Sequence, residues 1–391
     1  MAMGGMSSLC TFLAVLTTAI AIVAASDEAA LLAFKAQVSD GGSLASWNSS
    51  ASFCSWEGVT CSHRRPARVV ALRLNNKALA GELSPAIGNL TFLRTLNLSF
   101  NWFHGEIPAS LGRLRRLHRL DLGNNSFSGT LPVNLSSCVS MAIMGLLNNK
   151  LGGRIPAEKL TSLVRMSLSN NSFTGLIPPS LANLSHLEVL DLSRNQLVGS
   201  IPPGLGSIHG MQQFSIARNL ISGMIPTSLY NWSSLELFDV GTNMLYGILD
   251  DFGNNFPKLE YLGLSGNHFT GTIPSSISNI SSLISVGFDS NRFSGYFPPT
   301  FGKLGALQYL NLNNNKLEAN DNKGWEFITS LGNCSQLQLL GLGINSFEGQ
   351  LPGSIVNLST TLQYLYLGDN RISGSIPADI GNLVGLQTLV I

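Results

Sequence analysis

Apolar residues recur in phase along most of this chain, at fixed places in a repeating unit. The unit reads L-x-x-L-x-L-x-x-N-x-[LF]-x-G-x-[IL]-P, and most units begin 24 residues after the one before. Such recurrence predicts a solenoid, because a unit of this length buries its apolar side chains only by stacking on its neighbours. The units, here called coils, begin at Val69, Leu93, Leu117, Met141, Leu163, Leu187, Met211, Leu235, Leu259, Leu283, Leu307, Leu337 and Leu362, and a truncated fourteenth begins at Leu386.

Each coil contains a short apolar alternation, such as Leu262 and Leu264, that predicts a β-strand. Gly271 and Pro274 predict a bend after the strand, since glycine permits tight turns and proline ends strand pairing. The recurring asparagine is expected to satisfy buried turn groups, because its amide both donates and accepts hydrogen bonds. Only the first coil lacks it, having Lys77; the others carry Asn101, Asn125, Asn149, Asn171, Asn195, Asn219, Asn243, Asn267, Asn291, Asn315, Asn345 and Asn370.

The N-terminus has the pattern of a secretory signal. Residues 10–25 are apolar and end in small side chains, which predicts a signal peptide at 1–25, cleaved after Ala25. An uncleaved membrane anchor is the alternative, although the run is short for a membrane span. No later segment is long and apolar enough to cross a bilayer, so we expect no further span in this chain.

The cysteines agree with an oxidising compartment. Cys54 and Cys61 lie close together and are expected to form a disulfide. Cys138 and Cys334 occupy the same place in coils that are eight coils apart, which is beyond disulfide reach. We expect both to be buried free thiols.

Composition argues against several functions. Charged residues make up 12% of the chain and the net charge is +1, so no nucleic-acid or anionic membrane partner is expected. The six histidines show no metal-ligand spacing, and we expect no metal and no cofactor. "HRLD" at 118–121 faintly resembles a kinase catalytic loop but occupies a repeat strand, and no phosphate-binding glycine loop accompanies it. Gly263, Ser265 and His268 belong to one coil and lack the spacing of a hydrolase nucleophile elbow, so we expect no enzyme activity.

The "GTIP", "GEIP" and "GSIP" motifs resemble the plant-type leucine-rich repeat. The segment "DEAALLAFKAQVSDGGSLASWNSSASFCSWEGVTC" resembles the N-terminal cap of plant leucine-rich-repeat receptor kinases, and the 30-residue coil at Leu307 resembles a long repeat of the rice receptor kinases for bacterial resistance. This resemblance implies an α/β-type solenoid: a right-handed superhelix with a concave parallel β-sheet and a second sheet beside it. The cap would span 26–68, the array 69–391, and the role would be extracellular recognition.

A solenoid of this kind binds partners on its concave side, where residues two, four, six and seven positions after the start of each coil are expected to face. Exposed tyrosines and arginines are enriched at binding hot spots. Position two gives Gln213, Tyr261, Tyr309 and Tyr364, with Arg119 and Arg165 earlier in the array. Position four gives Asp191, Asp239, Asp289 and Tyr366, after Arg73, Asn97 and Asp121, and position seven gives Arg194 and Arg218.

The glycosylation signals narrow the set of coils on which a ligand is expected to bind. Three of them, at Asn97, Asn124 and Asn170, map to the concave side of early coils, so glycans there would cover that part of the face. A peptide or protein ligand is therefore expected on coils six to thirteen, from about Asp191 to Tyr366. The full set of N-x-S/T signals is Asn48, Asn89, Asn97, Asn124, Asn134, Asn170, Asn183, Asn231, Asn279, Asn333 and Asn357.

The long coil carries inserted residues around 320–327. Trp325 and Phe327 within them are expected to pack as local core on the convex side, with a contact site for a co-receptor or other partner as the alternative.

Three functions remain open from the sequence. The leading interpretation is the ligand-recognising ectodomain, truncated before its membrane and kinase parts, of a plant receptor kinase in defence. This would face the outside of the plasma membrane or the apoplast. A secreted inhibitor of a microbial cell-wall-degrading enzyme is the second, and a co-receptor scaffold the third. The array stops within a strand at "LQTLVI", as in a truncated product, a partial gene model or an expressed fragment.

Overall fold

A computed structural model describes residues 27–48, 50–63, 65–156, 159–250 and 252–391. The predicted signal peptide at 1–25 lies outside the described residues. The chain divides into two compact units, the first ending at Thr174 and the second running from Gly175 to Ile391.

The first unit begins with a small cap. Residues 27–35 are α-helical, and Trp47 stacks on Trp56 with 5.4 Å between ring centroids. Cys54 and Cys61 form a disulfide with their Cα atoms 5.5 Å apart, which confirms the predicted pairing. The cap adds one antiparallel strand to each of the two sheets of the unit, because Val59–Cys61 pairs with Val69–Arg73 and Val38–Ser39 pairs with Ala80–Glu82.

All other strand pairing in the first unit is parallel among the described residues, coil against coil. The first sheet begins with the cap strand Val59–Cys61 and the strand Val69–Arg73 of the first coil. Its later strands come from positions two to four of each coil and are Thr95–Asn97, Arg119–Asp121, Ile143–Gly145 and Arg165–Ser167. The strands of the second sheet are Val38–Ser39, Ala80–Glu82, Trp102–Glu106, Ser126–Thr130, Lys150–Gly153 and Ser172–Leu176. Short 3₁₀ helices at Phe53–Ser55, Pro85–Asn89, Ala109–Arg113 and Val133–Ser137 complete the unit.

The second unit repeats this plan. Its first sheet contains Val189–Asp191, Gln213–Ser215, Leu237–Asp239, Tyr261–Gly263, Ser285–Gly287, Tyr309–Asn311, Leu339–Gly341, Tyr364–Tyr366 and Thr388–Val390. Its second sheet contains Gln196–Gly199, Leu220–Gly223, Met244–Gly247, His268–Gly271, Arg292–Gly295, Lys316–Ala319, Ser346–Gln350 and Arg371–Ser373. The 3₁₀ helices are Pro179–Asn183, Pro203–Ser207, Thr227–Asn231, Phe252–Asn254, Ser275–Asn279, Pro299–Lys303, Gly353–Asn357 and Ala378–Asn382.

The asparagine of each coil joins two coils through the backbone. Asn267 Nδ2 donates to the carbonyl oxygens of Leu264 and Val240, each at 3.1 Å. Its Oδ1 accepts the N–H of Leu245 in the coil before, at 3.0 Å. This confirms the predicted double role of the amide, and Asn267 is 4% exposed, so water cannot replace these partners. Lys77 stands where the first coil lacks this asparagine, and its backbone N–H donates to Oδ1 of Asn101 in the second coil.

The long coil contains the α-helix Glu326–Leu331. Trp325 is 6% exposed and Phe327 1% exposed, and both rings lie within 6 Å of Phe347. Trp325 Nε1 donates to the carbonyl of Glu348 at 3.1 Å. The structure therefore confirms the interpretation as local core, and these two side chains offer little surface to a partner.

The two unpaired thiols are fully buried, as predicted. Cys138 Sγ donates to the carbonyl of Leu111 at 3.4 Å, and Cys334 Sγ donates to the carbonyl of Phe301 at 3.6 Å. Burial raises the pKa of each thiol to about 11, so neither is a reactive nucleophile in the folded chain.

Candidate ligand-binding face

The solvent side of the first sheet in the second unit, here called the strand face, carries the predicted binding residues. The strand register sets Gln213, Leu237, Tyr261, Ser285 and Tyr309 side by side. The register then continues through Leu339 to Tyr364. Large and smaller residues therefore alternate, and successive tyrosines stand two strands apart, about 10 Å.

Tyr261 and Tyr309 present their rings to solvent, with 38% and 40% of their surface exposed. The hydroxyl of Tyr309 donates to Oε1 of Gln338 at 2.8 Å, which holds its ring in place. Tyr364 is half-buried at the same position of a later coil, and Tyr366 lies on the same strand. An exposed, oriented aromatic ring supplies contact area with little loss of side-chain entropy on binding.

Two carboxylates lie beside this tyrosine row. Asp191, Ser215 and Asp239 stand next to one another across three strands and line a cavity of about 210 Å³, which Gln213 also lines. Oδ1 of Asp191 accepts the N–H of Ser193 at 3.1 Å, and Oδ1 of Asp239 accepts the N–H of Gly241 at 3.1 Å. Each carboxylate is thus fixed through one oxygen, and within the described part of the chain Oδ2 of neither accepts a hydrogen bond.

The electrostatics of this region are acidic. Burial raises the pKa of Asp239 above its ordinary value of 3.8, and the negative charge of Asp191 raises it further, while the Gly241 N–H and Arg218 oppose the shift. Burial and then the charges of Asp239 and Asp289 raise the pKa of Tyr261. Like charges held together in a half-buried cavity favour a bound cation.

Asp289 does not occupy the predicted place. It was predicted at position four, but the strand there is Ser285–Gly287, and Gly263 pairs with Gly287. Asp289 lies two residues later, at position six, where its Oδ1 accepts the hydroxyl of Ser265 at 2.5 Å. The prediction of its register was wrong, because position four of this coil is a glycine, although Asp289 still adds its charge beside Tyr261.

Arg194 and Arg218 lie at position seven with positive φ angles of 54° and 57°. Both side chains are exposed. Most coils have a residue with left-handed backbone geometry at this position. The apolar periodicity does not predict this geometry. The available signal is the recurrence of asparagine there, since asparagine adopts that conformation more easily than most residues. It occupies the position at Asn76, Asn124, Asn148, Asn170 and Asn314.

The three early glycosylation signals lie in the first unit. Asn170 Nδ2 donates to Oδ1 of Asn148 at 2.8 Å, and Asn148 Nδ2 donates to Oδ1 of Asn124 at 2.7 Å. Asn97 Oδ1 accepts the N–H of Ser99 at 3.1 Å. Position seven therefore forms a second, partly exposed asparagine row, and glycan occupancy at these sites stays a prediction.

Comparison with known proteins defines the class. A model described as "Leucine rich repeat N-terminal domain" matches residues 24–62, and models described as "Leucine rich repeat" match residues 92–114, 116–138, 156–202, 257–317 and 361–383. The chain is 55% identical over 80 residues to the LRR receptor-like serine/threonine-protein kinase EFR of Arabidopsis thaliana. It is 51% identical over 85 residues to the receptor kinase-like protein Xa21 of Oryza sativa subsp. japonica. Each match covers 20% of this chain and 8% of the relative.

Solved structures of plant receptors also superpose on this chain. The plant peptide hormone receptor RGFR1, in complex with RGF2, superposes with a TM-score of 0.75 and 31% identity over 81% of this chain and 50% of the receptor chain. The Arabidopsis receptor kinase HAESA, in complex with the peptide hormone IDA and the co-receptor SERK1, gives a TM-score of 0.58 and 26% identity over 92% of this chain and 76% of the receptor chain. The chain thus spans half the length of the first of these receptors.

Parallel β-sheets built from stacked coils, with a disulfide-linked N-terminal domain, make this chain a leucine-rich-repeat protein. More particularly, its relatives are the plant leucine-rich-repeat receptor kinases. The RGFR1 and HAESA structures are both of plant receptors in complex with their ligands. Within the described residues, no helix has the length and apolar character needed to cross a bilayer.

Proposed function

We propose that this chain is an extracellular recognition module of a plant receptor kinase in defence signalling and binds a peptide or protein ligand on the strand face. The observation that carries the proposal is the pair of exposed tyrosines, Tyr261 and Tyr309, on the strand face that also holds the carboxylates of Asp191 and Asp239. The RGFR1 and HAESA structures, both solved with peptide hormones, support a peptide as the class of ligand.

The chemistry of the cavity suits a basic side chain of that ligand. A guanidinium or ammonium group between Asp191 and Asp239 would meet two carboxylates whose Oδ1 atoms are already engaged. Charge-assisted hydrogen bonds of this kind are the strong ones, and the half-buried setting reduces screening by salt. The tyrosines at position two would then cover the apolar parts of the ligand.

A co-receptor is the second proposed partner. HAESA was solved with the co-receptor SERK1, and a peptide held on the strand face would present its outer side to such an ectodomain. Secretion, glycosylation and a location at the plasma membrane or in the apoplast belong to the same proposal.

The test of ligand chemistry uses a fluorescein-labelled tetra-arginine peptide, with tetra-citrulline as its neutral control. We expect the arginine probe to bind and the citrulline probe to bind at least about tenfold more weakly. Asp191→Asn together with Asp239→Asn should abolish the difference, whereas Glu318→Gln, which removes an exposed charge elsewhere, should not. Equal binding of the two probes would contradict a cationic subsite.

The test of the site as a whole replaces Tyr261, Tyr309 and Tyr364 with alanine together. An interactor isolated from elicited plant tissue with the wild-type chain should be lost by this variant, while its melting temperature changes little. Binding that survives the triple replacement would place the interface elsewhere. Transcript sequencing through codon 391 tests the receptor proposal, because a frame that continues into a membrane span and kinase motifs is expected.

A further inference from the structure

A cavity of about 800 Å³ in the first unit is lined by five basic side chains and no acidic one. It lies between the end of the cap and the first coils. The basic residues are His63, Arg65, Arg68, Arg94 and Arg116.

This cavity lies in a part of the chain that has an excess of positive charge, although the net charge of the whole chain is only +1. From Gly58 to Arg119 the chain holds ten of its 23 Lys and Arg residues but only two of its 22 Asp and Glu residues. A second groove of about 470 Å³ adds Arg113 and Arg115. Arg68, Lys77 and Arg119 pair with carboxylates outside this stretch, and the remaining basic residues attract an anionic partner.

Phe92 organises the cavity. The guanidinium carbons of Arg68 and Arg116 lie 4.3 Å and 4.1 Å from the centroid of its ring. Arg68 is neutralised, since it makes two hydrogen bonds of 2.9 Å and 2.8 Å to the fully buried carboxylate of Asp27. It therefore acts as a support for the ring.

Arg116 differs from Arg68 in having no carboxylate partner. In the part of the chain that the structure describes, Arg65, Arg94 and Arg116 form no salt bridge. A guanidinium stacked on an aromatic ring keeps its N–H groups free in its own plane, where they can bind a carboxylate through two parallel bonds. Arg94 and Arg116 are both exposed and available for this purpose.

The rest of the cavity indicates what kind of anion fits. Pro66, Val70 and Phe92 are half-buried and give the cavity an apolar floor. The neighbouring strand Val59–Cys61 is the outermost strand of its sheet, and among the described residues it pairs only with Val69–Arg73. An open strand edge offers backbone donors and acceptors to an extended peptide.

We propose that this cavity binds an extended acidic peptide segment of a partner protein. Two of its carboxylates pair with Arg94 and Arg116, and an apolar side chain between them covers Val70 and Phe92. Polysaccharides lack the apolar group that the floor would cover, and a lipid surface would not enter a cavity. This site is independent of the strand face, so either can fail without the other.

The experiment measures fluorescence anisotropy with the labelled probe Glu-Asp-Val-Glu-Leu-Asp-Glu-Gly and a counterpart in which Gln and Asn replace the acids. We expect the acidic probe to bind, and Arg94→Gln with Arg116→Gln to raise its Kd about tenfold or more. The matched control, Arg292→Gln with Arg371→Gln, removes two exposed charges from the second unit and should leave the Kd unchanged.

A second measurement does not depend on any variant. Binding of the acidic probe should slow hydrogen exchange at residues 59–61 and 65–70 of the wild-type chain. Equal binding of the neutral probe, an unchanged Kd in the Arg94 and Arg116 variant, or absent protection would each overturn the proposal. Arginine-dependent binding of oligogalacturonate without binding of the acidic probe would also overturn it, in favour of an acidic polysaccharide.

Discussion

Asp239 and Gly263 are neighbours in adjacent strands, and the carboxylate of the first lies over the backbone of the second. A β-carbon placed on Gly263 would stand 2.6 Å from Oδ1 of Asp239 and 2.8 Å from Cε1 of Tyr261. Real β-carbons do not approach other atoms so closely. The absence of a side chain at this position therefore lets the acid and the aromatic ring lie side by side.

Replacing Gly263 with alanine should disturb this arrangement. The two contacted atoms belong to movable side chains, so the chain is expected to fold with a loss of about 1 kcal/mol while Asp239 and Tyr261 shift. We expect the affinity for the arginine probe to fall several-fold. Gly305→Ala is the matched control, because its β-carbon meets nothing within 4 Å. An affinity unchanged by Gly263→Ala would mean that this carboxylate does not contact the probe.

The raised pKa of Asp239 predicts how ligand binding depends on pH. Its carboxyl takes up a proton at a pH above 3.8, the ordinary value, because burial and Asp191 disfavour the charge. Affinity for a cation should therefore be full at neutral pH and be lost as the pH falls through this raised pKa. Titration of arginine-probe binding between neutral and acidic pH measures the midpoint, which should lie above that of an exposed aspartate.

The same group has the opposite effect on folding. A pKa that is higher in the folded than in the unfolded state means that the contribution of Asp239 to stability is present at low pH and is lost as the pH rises through the folded value. Asp239→Asn should remove this dependence and should also flatten the pH profile of binding. A variant whose binding profile keeps the wild-type midpoint would show that another group titrates.

The asparagine row predicts a large effect of a single polar substitution. Asn267→Ala removes the partners of the Leu245 N–H and of two carbonyl groups, which stay buried. Leaving such groups unpaired should cost about 2–4 kcal/mol, seen as a lower urea midpoint. Asn322→Ala alters an exposed asparagine and is expected to change stability by less than about 0.5 kcal/mol. Equal midpoints for the two variants would refute the structural role of the amide.

Much of the fold was predictable because the repeat constrains it many times over. Leu262 and Leu264 recur with the same spacing in each coil, so a shift of one residue would turn every apolar side chain outward. The strand Tyr261–Gly263 and the amide bonds of Asn267 followed from such constraints, while the disulfide between Cys54 and Cys61 followed from their closeness in sequence.

The binding site was harder to predict, because the side chains on the strand face do not repeat from coil to coil. Nothing in the apolar pattern fixes which polar side chain occupies a given position, and Asp289 was placed two residues too early in its coil. The basic cavity around Phe92 was missed, since it depends on the end of the cap and the start of the first coil meeting the edges of later coils. The local run of arginines from Arg113 to Arg119 was the available signal.

Two tryptophans provide the last prediction, because they differ greatly in burial. Trp325 is 6% exposed and packs on Phe327 and Phe347, whereas Trp102 is 69% exposed on the second sheet of the first unit. Trp325→Ala should therefore cost about 3–5 kcal/mol through lost burial and a cavity, while Trp102→Ala should cost less than about 0.5 kcal/mol.

Thermal unfolding followed by circular dichroism measures both variants, and hydrogen exchange locates the loss. We expect faster exchange in the helix Glu326–Leu331 of the Trp325 variant, because that helix rests on the aromatic cluster. If Trp325→Ala left stability unchanged but removed an interactor, the inserted segment would be a contact site after all. A large loss from Trp102→Ala would instead show that its exposed ring is covered in solution, since a solvent-exposed side chain contributes little to folding.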